Sequence, residues 1–125
     1  MKTLIKDEEL EMELQELYLT GKQWLSDVEF LANEESFLRE QLSAMKTPAS
    51  CEILARLDSA ALINVQLGQN IADFTNKVEP LIVGIDSVVH LQLVEDFACL
   101  QEAMLNALTV LKGIKYALVE SKRAA

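Results

Sequence analysis

With 125 residues, half of them apolar and a quarter charged, the chain has the size and balance of one globular domain that buries a core without disulfide or metal staples. Four glycines and two prolines are too few for a disordered or turn-rich all-β chain, which leaves helices. A net charge of −9 sets most of the surface against a nucleic-acid backbone or an anionic membrane, so neither is expected as a partner.

From Leu10, steps of four and three alternate through Leu14, Leu17, Gly21, Trp24, Val28, Leu31, Glu35, Leu38, Leu42 and Met45. An apolar stripe that returns every 3.5 residues or so, on average, predicts one long helix. Phe30, Phe37, Leu25 and Ala32 lie beside the stripe and are expected to widen its buried face beyond what a two-stranded coiled coil needs. The helix should stop near Met45, because Pro48 disfavours helical dihedrals in the residue before it. Near its start, Asp7, Glu8, Glu9, Glu11, Glu13 and Glu16 come with no base among them, while Lys112, Lys115, Lys122 and Arg123 sit toward the other end of the chain. Compensation of helix dipoles is the favoured reading of both clusters, and an acidic docking site for a basic partner is the alternative.

After a turn at Thr47, Pro48, Ala49 and Ser50, the same walk runs through Ile53, Leu57, Ala60, Asn64, Leu67, Ile71, Phe74, Val78, Leu81 and Ile85. Ser50 is the expected N-cap of this second helix. Pro80 removes a helical hydrogen bond, so the helix either kinks there or ends near Lys77 and leaves Pro80 to Gly84 in a short turn. The unbroken register of the stripe favours the kink.

Asp86 or Ser87 is expected to cap a third helix with the stripe Leu93, Phe97, Leu100, Met104, Ala107, Leu111, Ile114 and Leu118, fading into Ser121, Lys122 and Arg123. Three long stripes joined by short turns define an all-α, antiparallel bundle of three helices running up, down and up, with residues 1–125 as a single domain. Counting levels back from the turns sets Gly21 beside Phe74 and Phe97, where a glycine leaves room for two rings. Cys51 and Cys99 lack any CxxC spacing, fall on different levels, and are read as small buried apolar groups rather than a disulfide or metal pair.

Chemistry-bearing patterns are sparse. No phosphate-cradling glycine loop, HExxH or Glu-x-x-His pair occurs, so no catalytic residue, cofactor or metal is expected and the chain is read as a non-enzyme. The single histidine stands in His90-Leu91-Gln92-Leu93-Val94, which lacks the lysine and glycine of the His-x-Leu-Lys-Gly stretch of histidine phosphotransfer domains. Glu35 and Asn64 are the clearly polar residues inside the first two stripes. A buried carboxylate needs a partner, which level counting supplies as Lys112 or Lys115, and Asn64 is read as a register-fixing polar residue. The alternative is a small-ligand or ion site formed by Glu35 and Asn64, with Trp24, Phe30 and Phe37 lining a cavity.

The third helix is apolar on more than one side. Leu91, Ala98, Leu105 and Val119 repeat at multiples of seven, with Val94 and Leu108 alongside, on roughly the opposite side from the core stripe. Such a second stripe marks an association surface, most simply in a two-fold homodimer. A third helix sunk deepest in an irregular monomer is one alternative, and a chaperone or adaptor that takes an amphipathic partner helix on this face is another. Met1 to Lys6 is too short for a signal-peptide core, and Gln101, Glu102 and Asn106 interrupt the most apolar stretch, so a cytoplasmic, membrane-free location is expected.

Overall fold

A computed structural model describes the backbone of residues 2–83 and 87–124, with side chains at 9, 11–81 and 91–123. Helix α1 spans Lys2–Met45, α2 spans Pro48–Val78, and α3 spans Ser87–Ala124. No strand occurs among the described residues. Cross-helix contacts fix the directions. Asn64 and Asp58 on α2 meet Glu35 and Arg39 on α1, so one number falls as the other rises and the pair is antiparallel. Glu34 to Lys115 and Gln41 to Lys122 keep the same offset of 81 residues, so α1 and α3 run parallel. The bundle is therefore up, down and up, with α2 as the helix that touches both others most fully.

The turns explain where each rod begins and ends. Met45 closes α1 and Lys46 adopts a left-handed conformation (φ 50°), in the position more often taken by glycine. Thr47, held extended by the proline after it, is the N-cap of α2, with Pro48 in its first turn. The Ser50 amide donates to Thr47 Oγ1 at 3.0 Å, and the Thr47 amide donates to Ser50 Oγ at 2.8 Å. Ser50, expected as the cap, is instead the third helical residue of a capping box. Proline at the start of a helix sacrifices only an N–H that has no helical partner anyway, so the boundary moves back to the residue before Pro48.

At the other end, α2 stops at Val78, and Glu79–Val83 form a 3₁₀ turn that contains Pro80. The kink favoured by the continuing register is corrected to a break. The Glu79 amide still donates to the Thr75 carbonyl, whereas Pro80 has no N–H to carry the ladder further. Leu81 nonetheless packs against the core, which is why the stripe looks continuous. Helix α3 begins at Ser87, and Asp86 and Ile85 lie outside the described residues.

Every described position of the three stripes is buried or half-buried, and Leu14, Leu31, Leu57, Ile71, Val78 and Ile114 are sealed from solvent. Trp24 stacks on Phe97 with ring centroids 4.8 Å apart, and Phe74 approaches the same ring at 6.2 Å. Gly21 does face Phe74, but the room it leaves is taken mainly by Thr75, whose Cγ2 a Cβ at position 21 would strike. Residues off the stripes depart from expectation. Phe30 and Phe37 are 54% and 56% exposed and Ala32 is exposed, while Leu25 alone of the four is half-buried against the core. Cys51 and Cys99 are free thiols exposed to solvent, because each sits out of phase with its helix's buried stripe. The first turn of α1 holds no acid, so dipole compensation does not account for the acidic cluster, whereas Lys122 and Arg123 do occupy the last turn of α3.

Candidate functional site

Glu35 and Asn64 stand at matching heights in the stripes of α1 and α2, so antiparallel packing carries both into the interior. Asn64 Nδ2 donates to Glu35 Oε2 at 2.8 Å, and the two residues are nearly sealed, at 6% exposure for Asn64 and 5% for Glu35. Burial pushes the Glu35 carboxyl above its usual range, opposed by the Asn64 hydrogen bond and then by the charge of Arg39. The cation expected there is Lys112 or Lys115. Lys115 instead pairs with Glu34 at 3.4 Å, and Lys112 is exposed. Arg39, one turn further along α1, supplies the positive charge while its guanidinium is also paired with Asp58.

A cleft of about 220 Å³ opens on the pair between α1 and α2, walled by Val28, Ala32, Ser36, Ala61 and Val65 and rimmed by Arg39. Asn64 also borders a more apolar cleft of about 270 Å³ between α2 and α3, lined by Ala60, Leu67, Ala103 and Ala107. The expected polar pair is thus assembled, but the aromatic part of the expected cavity is not. Trp24 is committed to its stack with Phe97, and Phe30 and Phe37 point to solvent. One carboxyl held by one amide orients and accepts hydrogen bonds, with the Ser36 hydroxyl and the Arg39 guanidinium on the walls of the same cleft. Among the described residues no group of three or more His, Cys, Asp or Glu side chains is arranged to hold a metal ion. His90 belongs to α3, with its side chain outside the described set.

The second stripe of α3 lies on the open surface of the chain. Leu91, Leu105 and Val119 are 64%, 61% and 47% exposed, Val94 and Leu108 are 42% and 37% exposed, and Ala98 is exposed beside them. A comparable stripe on α1 escapes the reading of the sequence alone. Met12, Leu19, Phe30 and Phe37 are all more than half exposed, and their spacing of seven, eleven and seven residues is the signal that could have found them.

Among the described residues no helix is long and apolar enough to cross a membrane. No protein-family model, curated protein or solved structure matches the chain. The class defined by its own geometry is an antiparallel three-helix bundle with a buried polar pair and apolar outer stripes.

Proposed function

We propose that this chain is a non-catalytic interaction module that pairs with a second copy of itself through the outer face of α3. The observation that carries the reading is the exposure of Leu91, Val94, Ala98, Leu105, Leu108 and Val119 along a single side of one helix. A contiguous apolar stripe of this length on a monomer is unfavourable in water and is relieved by association. Two exposed free thiols suit a reducing compartment, which supports the cytoplasmic reading. The test is the mass of the full chain in solution. Light scattering at tens of micromolar should give twice the chain mass, and Leu105→Glu should halve it while the helical circular dichroism is retained. A monomeric wild type at that concentration refutes the proposal.

A further inference from the structure

The exposed stripe of α3 has a counterpart beside it. Met12, Leu19, Phe30 and Phe37 recur on α1 at intervals of about two, three and two turns, so they share one side of that helix. Gln15, Ser26, Asn33 and Ala44 fall among them and are uncharged and exposed. That side adjoins α3. Phe30 and Phe37 each stand one turn before a residue that reaches across to α3, Glu34 to Lys115 at 3.4 Å and Gln41 to Lys122 at 2.8 Å. On the far bank, Val119 follows Lys115 by one turn and Leu108 precedes it by two. The two helices run parallel, with Trp24 stacked on Phe97 at one height and Lys115 and Lys122 reaching Glu34 and Gln41 farther along. The two apolar stripes therefore flank the same shallow seam along its length.

We propose that these stripes form one composite face, closed by the same face of a second copy of this chain across a two-fold axis. The proposal rests on the self-association argued above and extends its surface to α1.

Size selects the occupant. From Met12 to Phe37 the face runs about 40 Å at 1.5 Å per residue, and two helices give it a width of roughly 20 Å. That is on the order of 800 Å² for each copy, the area a standard stable interface takes from one partner. A single partner helix is only about 10–12 Å across and would leave Leu19 or Leu91 uncovered on one margin or the other. Toward the far end of the face Glu34 is already paired with Lys115, and the outer side of α3 carries a cation, Lys112. A second copy brings an equally apolar surface of the same width, which a self-complementary interface requires.

The experiment compares the full-length wild type with Phe30→Glu, Phe37→Glu and Leu105→Glu by sedimentation over about one to one hundred micromolar, a span that brackets an ordinary reversible dimer. All three positions are more than half exposed in the single chain, so the fold should survive each change. The expected result is a wild-type dimer whose dissociation constant rises roughly tenfold or more in every variant, because each buries a charge in the contact. A dimer weakened by Leu105→Glu but unchanged by both phenylalanine variants overturns the composite face and leaves association through α3 standing. A monomeric wild type overturns both. Hydroxyl-radical footprinting of the unmodified chain gives an answer free of variants. Met12, Phe30, Phe37 and Tyr116 should lose reactivity as concentration rises while Leu62, 74% exposed on α2, keeps it. Unchanged reactivity at Met12, Phe30 and Phe37 in the dimer refutes the shared face.

Discussion

The α1/α2 seam and the α1/α3 seam use the same helix and the same kind of stripe, yet they are built differently. Between α1 and α2 the contact is extensive, Gly21 lets Thr75 approach the α1 backbone, and the Glu35–Asn64 hydrogen bond lies buried in the middle. Between α1 and α3 the contact is sparser and centres on the Trp24–Phe97 stack. Farther along it is bridged by a partly exposed ion pair and by an exposed lysine-to-glutamine bond, with apolar side chains left in water on either bank. A buried polar pair is satisfied in one register only, so the first seam is strongly specified. The second lacks such a lock and leaves apolar area to be covered. The difference separates the seam that secures the fold from the seam that leaves apolar side chains in water.

The contrast can be broken from the first seam outward. Gly21→Leu should have the largest effect, about 3 kcal/mol of lost stability in denaturant unfolding, since even a Cβ at that position strikes the buried Thr75 side chain. Asn64→Ala should cost about 2 kcal/mol, because it leaves the buried Glu35 carboxyl without its donor. Glu35→Gln sharpens the point through pH. A carboxyl whose folded pKa is raised contributes fully below its ordinary value of 4.5, and that contribution fades as pH rises through the folded pKa. The variant keeps an acceptor for Asn64 and carries no charge. Its stability advantage over wild type should therefore be greatest near neutrality and shrink as pH falls toward 4.5, as read from melts across that range. Lys115→Ala, at the second seam, should change stability by less than about 0.5 kcal/mol, as expected for a partly exposed ion pair. If it cost as much as Asn64→Ala, the two seams would not differ in kind.

Reading the residues alone is enough to place the buried stripes, because an apolar residue every three or four positions has only one way to leave water in a helix. Glu35 and Asn64 stand out for the same reason, as polar residues at positions the period assigns to the interior. The stretch around Pro80 is harder. Leu81 keeps the period even though the backbone has changed to a 3₁₀ turn, so the pattern masks the break. Thr47 and Ser50 are both suitable caps, and choosing between them requires the two hydroxyl-to-amide bonds of the folded turn. The companion of Glu35 is misjudged because counting levels along a rod does not say which of several cations turns toward it. Lys115 lies near enough to α1, but on the side of Glu34.

Periodicity and turn residues suffice for three helices, the end of α1 at Met45, the residues that line the common core, and the antiparallel order that short turns enforce. How wide an arc of each helix its neighbours cover emerges only from the packing of the three rods. That arc separates Trp24 in the interior from Phe30 and Phe37 in water, and it places the cysteines outside. The physical reason is that periodicity reports a residue's angle around its own axis. Burial depends on where the other two axes lie, and with only two neighbours a helix always keeps one side uncovered.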